Sequence, residues 1–222
     1  MIIATPPVIP NFGSASKCEQ DNGWWCTDWL HQHWGDTLQP ALVQHVELSA
    51  IAVGIGFGIA FVLALTGYRY RFLDPPIGVV ADFLYTIPSL ALFQLLVPVT
   101  GLTVTTVEVA LVSYTLLILY RNMVARGMGL TRGQTFFRVE LPLAVPAIVA
   151  GLRIAAVSTI SIATVAAFVI PEGLGRPIFI ALGQDLFKTE ILAAGGLAIA
   201  LALVADVVLV MTQRALTPWS RA

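Results

Sequence analysis

Five long apolar stretches dominate this chain of 222 residues. They lie at about 45–67, 77–98, 103–120, 143–169 and 190–212, and each ends at charged residues, proline or glycine. The hydrocarbon core of a bilayer is about 30 Å thick, so a helix needs roughly 20 apolar residues to cross it. Because 57% of the residues are hydrophobic and only 11% are charged, the composition excludes a soluble globular domain. The sequence therefore predicts an all-α polytopic membrane protein with five transmembrane helices.

The distribution of basic residues predicts how these helices are oriented. Lysine and arginine concentrate in the cytoplasmic loops of membrane proteins. The segments that would share one side of the membrane contain eight basic residues: Arg69, Arg71, Arg121, Arg126, Arg132, Arg138, Arg214 and Arg221. The other side has three: Lys17, Arg176 and Lys188. We therefore expect an extracytoplasmic tail (1–44), a transmembrane domain (45–212) and a cytoplasmic tail (213–222).

The predicted outer tail contains both cysteines of the chain, Cys18 and Cys26. Its start has neither a basic region nor a long apolar core, so we expect no cleavable signal peptide. In an oxidising compartment the cysteines either form a disulfide or remain free thiols. Tryptophan favours the membrane–water interface. The tail also contains four tryptophans: Trp24, Trp25, Trp29 and Trp34. They indicate either a short helix on the outer membrane surface or a docking surface for an external partner. A helix would place Trp25 and Trp29 on one face.

Three charged residues, Arg153, Asp206 and Asp82, fall inside the apolar stretches, toward the expected cytoplasmic half. A charge in lipid is costly, so each should face protein or a cavity. We expect Arg153 to pair with Asp206 or Asp82 near an inner gate. The alternative is that each side chain reaches separately to the interface.

The second apolar stretch is interrupted by the sequence Tyr85-Thr86-Ile87-Pro88-Ser89. Proline removes one backbone hydrogen bond, and the hydroxyl of Thr86 or Ser89 is placed to bond the freed carbonyl. Interrupted membrane helices often line a translocation path. The candidate pathway or gate residues are therefore Asp82, Tyr85, Pro88, Ser89, Arg153 and Asp206.

The longest inward-facing loop, 121–142, is basic and glycine-rich and ends in Leu-Pro at a helix start. Its frame is Met123-Val124-Ala125, then Gly129, Val139 and Leu141-Pro142. This frame resembles the cytoplasmic signature of the permease subunits of ATP-binding-cassette importers: Glu-Ala-Ala, three residues, Gly, nine residues, Ile, one residue and Leu-Pro. Met123 stands where that signature has Glu, Val124 occupies its second position, and the stretch between Asn122 and Ala125 is shorter than usual in the family. The resemblance implies a coupling helix that sits in a groove of an ATPase subunit, and apolar anchors are available at Phe136 and Phe137.

The blocks 84–102, 126–155 and 163–178 are similar to the osmoprotectant branch of that family, permeases for glycine betaine, carnitine, choline and related quaternary ammonium compounds. The resemblance covers roughly 40–212. It implies a type I importer permease fold in the bacterial inner membrane. It also implies two ATPase subunits that hold ATP and Mg, a second permease subunit, like or unlike, and an extracytoplasmic solute-binding protein.

Aromatic side chains and one glycine-rich turn are the remaining candidates. A quaternary ammonium ion is held by aromatic faces, so the candidate contacts are Phe83, Tyr85, Phe93 and Phe168. The alternative is that these rings only pack between helices. In the family, the region of Gly173-Leu174-Gly175 lies near the outer gate. Turn chemistry alone also accounts for these glycines, followed by a re-entrant or surface helix.

Several chemistries lack their sequence signatures. There is no Gly-x-x-x-x-Gly-Lys-Ser/Thr loop, so ATP would be hydrolysed by another chain. No Cys/His cluster has metal-ligand spacing, and 12 basic against 13 acidic residues offer no surplus for nucleic acid. We expect a transporter subunit without a cofactor or catalysis of its own. The rivals are an importer for another small solute such as an amino acid or sulfonate, an ion-gradient-driven carrier, and a membrane enzyme.

Overall fold

The structure is a computed structural model that describes residues 17–124, 141–183 and 186–217, without the side chains of residues 124 and 141–143. Most of this part of the chain is helical. The principal helices are α1 (Lys17–Gln20), α2 (Thr27–His33), α3 (Gln39–Arg69), α4 (Asp74–Thr86), α5 (Ser89–Thr100), α6 (Val104–Val124), α7 (Leu141–Ala163), α8 (Gly175–Gly183) and α9 (Lys188–Leu216). A π-helical turn joins α2 to α3, and short 3-10 turns precede α4 and follow α7.

In the described part, four helical stretches are long and apolar enough to cross a membrane: Thr27–Arg69, Val104–Met123, Ala144–Phe168 and Lys188–Leu216. The predicted all-α membrane fold is confirmed. The second apolar stretch differs from the single helix expected over 77–98, because α4 and α5 meet at 99°. Ile87 is extended there, as a residue before proline prefers to be. The bent pair supplies a fifth span when it is counted as one crossing.

Helix α6 lies at the centre of the bundle and packs against α3, α4, α5 and α7. One core cluster joins Leu111 and Tyr114 of α6 to Leu48 of α3 and Phe93 of α5. A second cluster lies further along α6 and contains Tyr120, Met123, Ala60 and Ala155. Lipid tails are as apolar as these side chains, so close packing rather than water exclusion holds membrane helices together.

Small residues let α3 approach α6 closely. The buried positions Ser49, Ala52, Gly56 and Ala60 are three or four residues apart, so they form one stripe along α3. A Cβ atom added at Gly56 would lie only 2.0 Å from Oγ1 of Thr115. A Cβ atom added at Gly67 would lie 3.3 Å from the Tyr120 hydroxyl. Gly67 follows Gly56 on α3 and Tyr120 follows Thr115 on α6, so the two helices run in the same direction.

We predict that Gly56→Ala lowers the free energy of unfolding in detergent by about 1–3 kcal/mol, the usual cost of overpacking a tight contact. The reason is that the added methyl group would overlap the buried Thr115 side chain, whose Cβ would lie only 3.0 Å away. The measurement is denaturant unfolding followed by circular dichroism. Gly54→Ala is the matched control, because a Cβ there meets nothing within 4 Å. Combining Gly56→Ala with Thr115→Ala should recover part of the loss, and equal losses in both glycine variants would contradict the close approach.

The described start of the chain folds back onto the N-terminal end of α9. Cys18 and Cys26 are joined by a disulfide. Backbone N–H of Cys26 donates to Oγ1 of Thr189 (3.0 Å), and the Thr189 hydroxyl donates to the carbonyl of Gly23 (3.0 Å). The side chain of Asn22 also accepts from the backbone N–H of Lys188. The closed loop therefore clamps the first turn of α9, a segment we call the disulfide clamp (residues 17–26).

The tryptophans of this region do not share one helix face. Helix α2 begins at Thr27, so Trp25 precedes it and is 60% exposed, whereas Trp29 is 8% exposed. The Trp29 ring stacks on His33 and meets the edge of Phe187. The expectation that Trp25 and Trp29 line one face is wrong, because the helix starts too late to include Trp25. Trp24, which is also exposed, lies under the ammonium group of Lys188, 5.0 Å from its ring centre.

Candidate functional site

The break between α4 and α5 is stabilised by two side-chain hydroxyls. Thr86 donates to the carbonyl of Phe83 (2.7 Å), one residue before the Leu84 carbonyl that Pro88 deprives of its helical donor. The carbonyl of Ile87 accepts from the hydroxyl of Tyr114 on α6. Ser89 is the first residue of α5, where the chain resumes a helix after Pro88. Tyr114 of α6 therefore stabilises the backbone at the break through this hydrogen bond.

The aromatic candidates divide into core and surface residues. Phe93 is fully buried in the cluster that surrounds α6, so the structure assigns it to packing instead of to a solute contact. Phe83, Tyr85 and Phe168 are exposed. The Tyr85 ring meets the Tyr114 ring edge-on with 6.0 Å between centres, directly beside the break. Of the candidates near the break, Phe83 and Tyr85 have faces that a cation can reach.

Arg153 of α7 and Asp206 of α9 form a two-pronged ion pair. Nε of Arg153 lies 2.8 Å from Oδ1 of Asp206, and Nη2 donates to Oδ2 at 3.0 Å. Paired N–H donors that match both carboxylate oxygens form the strongest geometry available to this pair of side chains. The two side chains are 33% and 34% exposed. The pair therefore fastens α7 to α9, and of the two partners expected for Arg153 the structure selects Asp206.

Asp82 pairs with Arg121, near the end of α6, and not with Arg153. The hydroxyl of Tyr120 donates to Oδ1 of Asp74 at the start of α4 (2.5 Å). These side chains border a cavity of about 360 Å³ between the two helices, with Gly78 on its wall. Asp82 thus joins α4 to α6, immediately before the predicted coupling segment.

The predicted coupling residues lie mostly outside the described residues: Ala125, Gly129, Phe136, Phe137 and Val139. Val124 ends α6, and Leu141 and Pro142 begin α7, where the backbone alone is described. Met123 is placed in full, and its side chain is buried against Ala60, Leu119 and Ala155. Its side chain therefore faces the bundle and not a partner.

Sequence reasoning missed a buried carboxyl group on α6. Both carboxyl oxygens of Glu108 and the hydroxyl of Ser49 are buried, and among the described residues none of these atoms has a hydrogen-bond partner. Glu108 lies seven residues, or two helical turns, before Thr115 on α6, and Ser49 lies seven residues before Gly56 on α3. Because Gly56 and Thr115 are in close contact and the helices are parallel, Glu108 and Ser49 lie at the same height in the bundle. A carboxylate inside a stretch of apolar residues was the available signal, since such residues are functional candidates by default.

A second missed feature fastens the loop before α8 to α3. The ring of His45 is buried, and its Nδ1 accepts from the backbone N–H of Leu174 (3.2 Å). Its Nε2 therefore carries the hydrogen and donates to the carbonyl of Ile160 (2.9 Å). Gln44 accepts from the backbone N–H of Gly173, whose φ of +70° favours glycine. Gln44 and His45 thus tie the loop to α3, and His45 also ties α3 to α7.

Comparison with known proteins agrees with this architecture. The family model described as "Binding-protein-dependent transport system inner membrane component" matches residues 122–219. The choline transport system permease protein OpuBB of Bacillus subtilis (strain 168) is 33% identical over 198 residues, which cover 83% of this chain and 90% of that protein. The osmoprotectant import permease protein OsmW of Salmonella typhimurium is 35% identical over 195 residues, 79% of this chain and 89% of that protein.

A third relative differs in length. The ergothioneine transport permease/ergothioneine binding protein EgtU of Helicobacter pylori (strain G27) is 42% identical over 135 residues, which are 55% of this chain but 24% of that protein. The family match, the long relatives and the apolar helices agree on a multi-pass protein of the bacterial inner membrane. The chain belongs to the inner-membrane permease components of binding-protein-dependent transport systems.

Proposed function

We propose that this permease subunit imports quaternary ammonium osmoprotectants, such as choline, glycine betaine or carnitine. One observation carries the proposal: two relatives that match about four fifths of the chain are named as transport permeases. One is named for choline, and the other for glycine betaine, carnitine and choline. Exposed aromatic faces beside the break, at Phe83 and Tyr85, support it, because they suit a cation that cannot donate a hydrogen bond.

The amino terminus lies outside the cell in this proposal, and the carboxyl terminus lies in the cytoplasm. The excess of basic residues in the inward loops supports this orientation. The Cys18–Cys26 disulfide supports it too, since disulfides persist in oxidising compartments. The extracytoplasmic tail (1–44), the transmembrane domain (45–212) and the cytoplasmic tail (213–222) follow from it.

The import path runs past the break in the bent helix pair. Tyr85, Pro88 and Ser89 line it, and the Arg153–Asp206 pair holds two neighbouring helices together toward the inner side. Asp82 acts on the same path through its ion pair with Arg121. A second permease subunit, the same or a paralogue, completes the path, and an extracytoplasmic protein delivers the solute.

ATP and Mg are held by two partner ATPase subunits, which dock on the segment 121–142 in this proposal. Phe136, Phe137, Val139 and the Leu141-Pro142 step supply its contacts, whereas Met123 anchors the segment inside the bundle. Val124 at the end of α6, Ala125 and Gly129 belong to the same proposed docking segment. This chain contributes no catalytic group to ATP hydrolysis.

The deciding experiment is uptake into proteoliposomes that contain the permease with its partner ATPase and solute-binding protein. We expect ATP to drive uptake of labelled choline, glycine betaine or carnitine, and a non-hydrolysable ATP analogue to drive none. An ionophore that collapses ion gradients should leave uptake unchanged, since a gradient-driven carrier would lose it. Uptake without ATP would refute the proposal.

The alternative is an importer for another small solute, such as an amino acid. The match to the EgtU permease makes ergothioneine one compound to include in the same assay. Preference for a neutral amino acid over all quaternary ammonium compounds would favour the alternative and reject the proposed solute class, while leaving the ATP-driven mechanism intact.

A further inference from the structure

Three side-chain bonds connect α6 to α4 along the full length of α4. The Tyr120 hydroxyl reaches Asp74, the first residue of α4, and Arg121 pairs with Asp82 in its middle. The Tyr114 hydroxyl reaches the carbonyl of Ile87, just beyond its last residue. Because all three donors lie on one helix, α4 and α6 are fastened as a unit that ends at the break.

The carbonyl of Ile87 has no helical donor available to it. Ile87 is extended and lies outside both α4 and α5. The first bond across the start of α5 runs from the N–H of Leu92 to the carbonyl of Pro88 (2.9 Å). In a bilayer an unpaired carbonyl costs several kcal/mol, so a donor from another helix is needed. Tyr114 supplies that donor, and its bond is the one that acts on the break itself.

Helix α6 also contains the first four residues of the segment 121–142. Its last turns are anchored in the bundle by Tyr120 and Met123. A displacement that enters at the end of α6 therefore reaches the break through Tyr114 within the same helix. We propose that Tyr114 is a positioning residue that carries the ATP-driven stroke from the coupling segment to the break in the bent helix pair. This inference rests on the proposed ATP-driven import.

Tyr114→Phe tests the inference, because it removes the hydroxyl and keeps the ring that packs against Tyr85. In proteoliposomes with the partner ATPase and binding protein, we expect the solute imported per ATP hydrolysed to fall about twofold to tenfold, the range that one hydrogen bond is worth. ATP turnover and assembly of the complex should stay at the wild-type level. Tyr70→Phe is the control: this exposed tyrosine at the end of α3 should leave the ratio unchanged.

Each outcome has a distinct meaning. An unchanged ratio in Tyr114→Phe would overturn the inference, and so would a proportional fall of uptake and ATP turnover, which indicates a purely structural role. If the Tyr114→Phe complex does not assemble, Asp82→Asn is the second variant, because it weakens the Asp82–Arg121 pair between α4 and α6. We expect it to lower the solute imported per ATP hydrolysed, and an unchanged ratio would also overturn the inference. A wild-type complex that hydrolyses ATP without importing any solute would instead refute the proposed function, before any variant is compared.

Discussion

Arg153→Asp is expected to reduce solute uptake to less than about a tenth of the wild-type level, because it leaves two acidic groups facing each other within the membrane-spanning region. In the folded protein both oxygens of Asp206 receive donors from the Arg153 guanidinium. The variant removes those donors and adds repulsion between α7 and α9. The amount of folded permease in the membrane and its uptake with the partner ATPase are the measurements.

The double exchange, Arg153→Asp with Asp206→Arg, separates pairing from other causes. Since it restores opposite charges at the same two positions, we expect it to recover a substantial part of the lost uptake. Arg71→Glu is the control and should have little effect, because Arg71 is exposed in the 3-10 turn that precedes α4. A double exchange no better than the single variant would show that the ion pair itself does not matter.

Loss of the Cys18–Cys26 disulfide is the second change with a large expected effect. The two cysteines are eight residues apart, and the chain-entropy relation for a loop of that size gives about 2.5 kcal/mol. Replacing both cysteines by serine should loosen the disulfide clamp and lower the melting temperature of the purified permease. We expect faster hydrogen exchange at the backbone amides of Cys26 and Lys188, which bond to Thr189 and Asn22.

The wild-type protein treated with a reductant offers an independent check of that prediction. Reduction opens the same loop without changing any side-chain volume, so it should reproduce the faster exchange of those two amides. Amides in the middle of α6, far from the clamp, serve as the internal reference. Unchanged exchange at Cys26 and Lys188 in both samples would mean that hydrogen bonds alone hold the segment.

Much of this fold follows from the sequence because lipid leaves few alternatives. Backbone groups in the hydrocarbon must bond within a helix, so an apolar stretch of sufficient length predicts a helix directly. The position of the break was equally readable, since Pro88 cannot donate a backbone hydrogen bond. The 99° bend was not, because it depends on contacts of α4 and α5 with α6.

The partners of the charged residues were predictable only as alternatives. Arg153 had two acidic residues within plausible reach, and the choice depends on how α7 crosses α9. The sequence offers Asp82 only as an alternative partner of Arg153, because the third apolar stretch ends at residue 120 and leaves Arg121 in the loop; α6 in fact extends to Val124 and includes Arg121, the partner of Asp82. Glu108 shows a different failure: a hydropathy average hides a single carboxyl group among apolar neighbours.

The disulfide clamp has a consequence for how the protein is made. Its hydrogen bonds join residues 163 to 166 positions apart, at the two ends of the described chain. During synthesis residues 17–26 emerge well before α9, the helix that binds them. Residues 17–26 therefore cannot form these hydrogen bonds until the first turn of α9 has been synthesised, and they wait for it while the helices between are made.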